Sequence, residues 1–217
     1  MRPGLRLFVA LCGVFVWLLP APYAAPAQPR GTSLVVQVPA EPPGLDMTAS
    51  PASAIAAVVH YNIQEGLVKV DRTGKLVPWL AERWHTTDNL NYTFFLKRGV
   101  RFHNGRELTA SDVKFVLDRA MNPETKHPHG KHYENIASIH VRDDSTVTIT
   151  LKKIDASFLL TLARQGSVIY PREAAESLKS HPVGTGPFVF SEWVRGDRII
   201  LVKNRDYHVK GLPRLDR

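Results

Sequence analysis

One segment in the middle of the chain has the periodicity of an amphipathic helix, and it constrains the fold more than any other feature. Thr109 is followed three residues later by Asp112, an acid after a hydroxyl that is typical of a helix start. Apolar residues then recur at helical spacing, namely Val113, Val116, Leu117 and Ala120. The pattern predicts a helix that buries one face and ends before Pro123.

Short β-rich runs on both sides of this helix predict hairpins. Residues 139–141 and 147–151 flank a polar turn, and residues 188–194 and 199–202 flank Gly196-Asp197. Other strands are predicted at 34–38, 67–70 and 92–96, and other helices at 52–64, 155–163 and 172–179. The sequence therefore predicts a mixed α/β fold with several hairpins, and neither a simple βαβ array nor a helix bundle.

The first 27 residues have the order of a secretory signal peptide. Arg2 and Arg6 precede an uncharged apolar run over 7–19, and Ala25-Pro26-Ala27 is a small-x-small cleavage pattern. The apolar run is too short for an ordinary transmembrane helix. We therefore expect a signal peptide at residues 1–27 and an exported, periplasmic chain at residues 28–217.

Composition excludes several classes of protein. The single cysteine, Cys12, lies within the signal region, so a disulfide framework and a cysteine-based zinc site are excluded. The formal net charge is +8, but export and the scattered positions of the cations argue against a nucleic-acid partner. The nucleophile elbow, the phosphate loop and the dinucleotide fingerprint are all absent, so no catalytic residue and no cofactor is predicted.

One loop is rich in histidine. His127, His129 and His132 have a spacing at which imidazoles could converge on zinc or nickel. Lys126 and Lys131 add repelling charge within the same loop. We expect a solvated basic loop and no metal site, and a nickel site stays open as the alternative.

Eight short motifs, in this order and spacing, resemble one known family. They are Gly-Leu-Val at 66–68, Gly-Lys-Leu-Val-Pro-Trp-Leu-Ala-Glu-Arg-Trp at 74–84, Tyr-Thr-Phe-Phe-Leu at 92–96, Gly-Val-Arg-Phe-His-Asn-Gly at 99–105, Leu-Thr-Ala-Ser-Asp-Val at 108–113, Pro-Val-Gly-Thr-Gly-Pro-Phe at 182–188, Asn-Arg-Asp-Tyr at 204–207 and Gly-Leu-Pro at 211–213. From about Leu34 to Asp216 the chain resembles the family 5 extracellular solute-binding proteins of peptide and nickel ABC importers, the oligopeptide- and dipeptide-binding class.

The resemblance implies an α/β, type II periplasmic-binding-protein-like fold. Family members are two-lobed and close on a ligand by hinge motion. The chain resembles the N-terminal lobe only, at 28–217, so we expect a truncated protein that lacks the second lobe. The implied partners are a peptide or similar small solute and an ABC permease in the inner membrane. The implied protein is a monomer and not an enzyme.

The resemblance also places three candidate ligand-binding segments. Each has a purely structural alternative: a turn for the first, a solvated loop for the second and a structural bend for the third. The residues are Ser50, Pro51, Ala52 and Ser53 before the first helix, His129 with Tyr133 in the histidine loop, and Gly184, Thr185 and Gly186. The leading function is solute binding for an ABC importer. The alternatives are a nickel or metal-chelate carrier of the same family, a zinc-dependent periplasmic hydrolase and a non-functional gene remnant.

Overall fold

The computed structural model describes residues 31–217, and the predicted signal peptide lies outside them. The helices are α1 (Ser53–Val59), α2 (Ala110–Met121) and α3 (Phe158–Thr161). The strands are β1 (Val68–Val70), β2 (Leu76–Pro78), β3 (Ala81–His85), β4 (Asn91–Leu96), β5 (Ile136–Asp143), β6 (Thr146–Leu151), β7 (Phe188–Val194) and β8 (Arg198–Lys203). Short 3-10 turns occupy Pro123–Thr125, Gly130–Tyr133 and Arg172–Ala174.

A four-stranded antiparallel sheet with the order β3-β4-β6-β5 forms the centre of the described chain. Alternate side chains of β4 and β6 point into the core, so apolar and polar residues alternate along these strands in the sequence. The buried set is Tyr92, Phe94, Leu96, Val147, Ile149 and Leu151. The sheet and its β5–β6 hairpin confirm the mixed α/β prediction.

Helix α2 packs on this sheet against β5 and β6. Its predicted start is confirmed, because the Asp112 carboxylate accepts hydrogen bonds from the Thr109 backbone N–H at 2.9 Å and from the Thr109 hydroxyl at 3.0 Å. Arg106 adds a charged partner, with its Nη2 2.6 Å from the same carboxylate. The apolar face predicted from the sequence is buried as expected.

The second predicted hairpin is also present. Strands β7 and β8 pair antiparallel from Phe188↔Lys203 to Val194↔Arg198. Unlike the central sheet, neither strand contains a fully buried residue. The pairing is therefore set by the local turn at Gly196, which has a φ of 74°.

The strand predicted at 34–38 is not formed. Leu34 and Val35 are 61% and 93% exposed, and only Leu34 of this segment forms a backbone hydrogen bond, from its N–H to the Arg217 carbonyl at 3.0 Å. A β-rich sequence needs a neighbouring strand to complete its ladder, and the described chain offers one only at the first residue of this segment. The prediction was wrong for that reason.

Three predicted helices are shorter than expected. The first ends at Val59 because the backbone leaves the helical conformation directly after it: His60 is extended, with a ψ of 121°, and Tyr61 has a φ of 60°. The helix predicted at 155–163 is reduced to α3, and the one predicted at 172–179 is a 3-10 turn followed by tight turns.

Within residues 31–217 no helix is long and apolar enough to cross a membrane.

Candidate functional site

Three loops that are distant in sequence meet at one concave surface, which we call the ligand patch. Its lining residues are Met47, Ser50, Pro51, Ala52, Ala56, His129 and Gln165. Four of these, Ser50, Pro51, Ala52 and His129, are among the predicted site residues. The structure therefore brings together two of the three predicted segments.

The first loop of the patch is held in place by its own buried polar residue. The Asp46 carboxylate accepts hydrogen bonds from the Thr48 backbone N–H at 2.7 Å and from the Thr48 hydroxyl at 2.6 Å. Leu45 is buried, and its N–H donates to the Lys179 carbonyl at 2.9 Å. These contacts fix the backbone just before α1, so residues 50–52 line the patch. Ser53, also predicted, is the exposed first residue of α1 and lies outside the lining set.

A glycine makes the meeting of the loops possible. Gly166 has a φ of 91°, a conformation that favours glycine, and a side chain there would come 3.0 Å from Cδ2 of His129. The same added carbon would lie 3.7 Å from the Met47 carbonyl oxygen. His129 is also tied to its neighbour, because its N–H donates to Nδ1 of His127 at 3.1 Å. The imidazole of His129 is thus positioned by close packing from two sides.

Two histidines of this loop, His127 and His129, have environments that favour the neutral imidazole. Burial lowers the pKa of His129, and the nearby His132 and Arg164 lower it further. Burial, followed by the proximity of His129, lowers the pKa of His127 to about 4. No Asp or Glu lines the patch. Its polar groups are a hydroxyl, an imidazole and an amide, which can donate and accept hydrogen bonds but carry no negative charge.

The three histidines do not form a metal centre by themselves. The rings of His129 and His132 stack with their centroids 5.6 Å apart, and the rings of His127 and His129 meet edge-on at 6.1 Å. Within residues 31–217 no group of three histidine, cysteine or acidic side chains is placed to hold a metal ion.

Gln165 is the patch residue that the sequence analysis missed. Its half-buried side chain lies in the turn after α3, directly before Gly166. The side-chain amide of Gln165 forms no hydrogen bond with any other group of residues 31–217. The only signal in the sequence is the neighbouring glycine, which indicates a tight turn but does not indicate which loops it brings together.

Tyr133 lies in the core and not at the patch. Its side chain is 1% exposed, and its hydroxyl lies 2.5 Å from the hydroxyl of Ser167. Ser167 in turn donates to the Thr161 carbonyl at 2.6 Å. The ring packs edge-on against His127 with centroids 5.7 Å apart. The ring supports the histidine loop from behind, and a contact between Tyr133 and a ligand stays a prediction.

The predicted glycine segment also has a packing role. A side chain on Gly184 would lie 2.1 Å from the Ile63 carbonyl oxygen, and one on Gly186 would lie 2.5 Å from the Asn62 carbonyl oxygen. Thr185 is buried and donates from its hydroxyl to the Glu65 carboxylate at 2.8 Å. The segment packs tightly on the chain after α1 and does not line the patch, which supports the structural alternative given for it.

Thr185 belongs to a group that we call the buried carboxylate network. Glu65 is 0% exposed, and its two carboxylate oxygens accept from four side chains. The donors are Trp79 Nε1 at 2.7 Å, the Tyr207 hydroxyl at 2.7 Å, the Thr185 hydroxyl at 2.8 Å and His208 Nε2 at 3.0 Å. The network joins the segment just before β1, the residue that follows β2, the glycine segment and the turn at 207–208. The sequence analysis did not identify it.

Comparisons with known proteins identify the family of the chain. The family model for bacterial extracellular solute-binding proteins, family 5 Middle, matches residues 75–217. The glutathione-binding protein GsiB of Salmonella choleraesuis is 36% identical over 167 residues, which are 75% of this chain and 33% of that protein. This chain thus spans about a third of the length of the curated relatives it matches.

Solved structures of binding proteins share the fold. The periplasmic binding protein AgaA from A. tumefacien R10, in complex with agropinic acid, has a TM-score of 0.76 and 35% identity, over 81% of this chain and 36% of its own. The oligopeptide-binding protein AppA of Bacillus subtilis, in complex with a nonapeptide, has a TM-score of 0.74 and 31% identity, over 81% and 37%. The predicted type II periplasmic-binding-protein-like fold is confirmed. With its motifs, its fold and the match over most of its length, the chain belongs to the bacterial extracellular solute-binding proteins of family 5.

Proposed function

We propose that this chain forms the N-terminal lobe of a periplasmic solute-binding protein, which captures peptides or similar small solutes for the permease of an ABC importer. One observation carries the proposal: the ligand patch gathers open polar groups at the segments where the family resemblance places the ligand. The family consists of solute-binding proteins and not of enzymes, so the zinc-dependent hydrolase alternative is set aside.

The chemistry of the patch suits an amide-containing ligand. Met47, Pro51 and Ala56 supply an apolar wall for a side chain or a methylene chain. The Gln165 amide can donate and accept at once, and the neutral imidazole of His129 offers one N–H and one acceptor nitrogen. A peptide unit presents the complementary C=O and N–H groups. The patch is shallow, which fits one wall of a cleft that a second lobe would complete by closing over the solute.

Thermal unfolding with and without small solutes tests this proposal. The probes are a mixed pool of di- to pentapeptides and glutathione, since one relative carries the latter in its name. A solute that binds the folded protein raises the unfolding temperature by mass action. His129→Ala should reduce that rise, and His140→Ala, an exposed histidine on β5, should retain it. A rise that is the same in both variants, or no rise with any probe, contradicts the proposal.

A metal chelate is the second candidate ligand. The observation that favours it is His129, a neutral imidazole at the patch and thus able to complete the coordination of a nickel ion already held by a small chelator. Free Ni²⁺ should not bind, because no three-ligand group exists within residues 31–217. Titration with Ni²⁺ alone and with Ni²⁺ plus histidine distinguishes the cases. Binding of the chelate that is lost in His129→Ala favours this candidate over peptides.

A further inference from the structure

Positive charge lies beside the ligand patch on two of the loops that form it. Arg164 directly precedes the lining residue Gln165, and Lys131 follows the lining residue His129 by two positions. Both cations are exposed. Neither forms a salt bridge within residues 31–217, so no carboxylate in contact neutralises either charge.

Carboxylates are fewer in the same loops. Asp46 is the one acid of the first loop, residues 45–56, and it is buried and accepts two hydrogen bonds from Thr48. Residues 126–132 contain two lysines and no acid, and the exposed Glu124 and Glu134 lie outside that range on either side. The loops that meet at the patch therefore carry more exposed positive charge than negative charge.

The imidazole of His129 responds to this charge from within the lining. After burial, the groups that lower its pKa are His132 and Arg164, and no carboxylate acts on it in the opposite direction. Asp46 does raise the pKa of His127, so the effect of this carboxylate is on the neighbouring ring. A negative charge brought to the lining would thus be attracted by Arg164 without repulsion from a lining carboxylate.

The lining also supplies the hydrogen-bond donors that a carboxylate requires. The Oγ of Ser50 accepts from the Ala52 N–H at 3.4 Å, which leaves the hydroxyl hydrogen to donate. The Gln165 amide has two N–H groups and forms no hydrogen bond within residues 31–217. The neutral ring of His129 adds one N–H. Hydrogen bonds to a charged acceptor are about twice as strong as those between neutral groups.

We propose that the ligand patch selects solutes that carry a negative charge, and that a carboxylate of the solute lies against Gln165 and His129 with Arg164 as its counter-charge. The inference rests on the proposed function, since it names the class of solute for the same site. Arg164 is a specificity-determining residue on this account. It acts without touching the solute, because an exposed charge is effective over a Debye length of about 10 Å at 0.1 M salt.

The test compares three capped dipeptides of similar size. N-acetyl-Ala-Ala amide is neutral, N-acetyl-Ala-Ala carries a terminal carboxylate, and N-acetyl-Asp-Ala amide carries its carboxylate on a side chain. NMR titration of the Gln165 side-chain amide measures each affinity, including weak ones. We expect the anionic peptides to bind about fivefold tighter than the neutral one at low salt. The ratio should approach unity at about 1 M salt, where the Debye length is about 3 Å.

The two anionic peptides distinguish the sources of the carboxylate. A gain for N-acetyl-Ala-Ala alone assigns the site to peptide C-termini, and a gain for both assigns it to carboxylates in general. Either result supports the inference.

Arg164→Gln should lower the affinity for the anionic peptides toward that for the neutral one. The same variant should raise the pKa of His129, measured by NMR without any solute, because it removes a positive neighbour. Arg142→Gln is the matched control. Arg142 is exposed near the end of β5, about 20 Å along the strand from Ile136, and this variant should retain the ratio.

Three results would count against these statements. Equal affinity for the neutral and the anionic peptides overturns this inference and leaves the proposed function in place. A preference for the anionic peptides that Arg164→Gln leaves intact also overturns it, because the counter-charge would then be another group. No binding of any of the three peptides contradicts both the inference and the proposed function.

Discussion

The buried carboxylate network and the ligand patch both gather polar side chains from distant parts of the chain, but they treat those side chains in opposite ways. In the network, Glu65 is fully buried and each of its oxygens accepts two hydrogen bonds from protein donors. In the patch, the Gln165 amide lies half-buried at the surface, beside a neutral imidazole. Polar groups that satisfy one another stabilise a fold, and polar groups held open are free to bind something else.

This difference explains why one of the predicted ligand segments did not reach the patch. The segment at Gly184 is glycine-rich because the backbone of Ile63 lies against it. Gly166 also allows a close approach, because an added carbon there would lie 3.0 Å from Cδ2 of His129. At this position, however, the close packing holds His129 at the surface of the patch. A glycine signal in a sequence therefore indicates close approach without saying whether a ligand or another part of the chain approaches.

The largest effect is expected from breaking the network. Glu65→Ala leaves four donors, one buried and three half-buried, without their acceptor, and we expect the free energy of unfolding to fall by about 3–5 kcal/mol. Urea denaturation measures the change. Glu176→Ala removes an exposed acid and should change stability by no more than about 0.5 kcal/mol. Similar small losses in both variants would show that the network does not stabilise the fold.

A somewhat smaller loss is expected at the glycine segment. Gly184→Ala places a carbon 2.1 Å from a backbone oxygen, and the chain must shift to accept it. We expect a loss of about 2–3 kcal/mol in the free energy of unfolding, as for other overpacked sites. Gly31→Ala, whose added carbon meets its nearest atom at 3.6 Å, is the matched control. Equal stability of the two variants would contradict the packing role given to this segment.

The third effect depends on pH. Burial lowers the pKa of both His60 and His127 from 6.5 to about 4 in the folded protein. The unfolded chain therefore takes up protons before the folded chain does, and stability is complete above about pH 6.5 and lost as the pH falls toward 4. We expect about 1–2 kcal/mol per histidine, after allowance for partial exposure.

Stability measured by urea denaturation from pH 7 to pH 4 tests this expectation. His127→Gln should flatten the dependence, because the amide does not titrate in this range. His85→Gln, at an exposed position of β3, should leave the dependence as it is. An unchanged slope in His127→Gln would mean that this imidazole is not shielded from water as the structure shows.

The smallest effect on stability is expected at the patch, where the effect on binding should be largest. Gln165→Ala removes an amide that has no partner among the side chains and loops of residues 31–217. Stability should change by no more than about 0.5 kcal/mol, while affinity for a bound peptide should fall about tenfold. Calorimetric titration measures the affinity, with the exposed Gln37→Ala as control. A stability loss without an affinity loss would assign Gln165 to the fold.

Local signals in the sequence predicted most of the elements correctly. Helix α2 and the hairpins β5–β6 and β7–β8 were predicted because their caps, turns and periodicity lie within a few residues of each element. The strand at 34–38 was wrong because its formation depends on a neighbour that no local pattern reveals. The helix predicted at 52–64 was too long because the backbone turns at His60 and Tyr61, and no local pattern predicts the φ of 60° at Tyr61.

Four lining residues of the ligand patch are among those that the resemblance indicated, and residue chemistry alone indicated none of the four as ligand-binding. Ser50, Pro51, Ala52 and His129 were placed by their position among the family motifs. Gln165 carries no motif, and it joins the patch only because the loops around Gly166 pack together. The network was missed because Glu65 and Tyr207 are 142 positions apart, and no pattern in the sequence pairs them.

The contact between Thr32 and Asp216 joins residues 184 positions apart, and this distance has a consequence for the order of folding. The β-prone segment near the N-terminus is synthesised first, but its partner follows roughly 10–40 s later at ordinary rates of chain elongation. The entropy of closing so long a loop also makes this pairing a late step. During that interval not even the start of the segment has its partner, so we expect chaperones to engage the nascent chain there first.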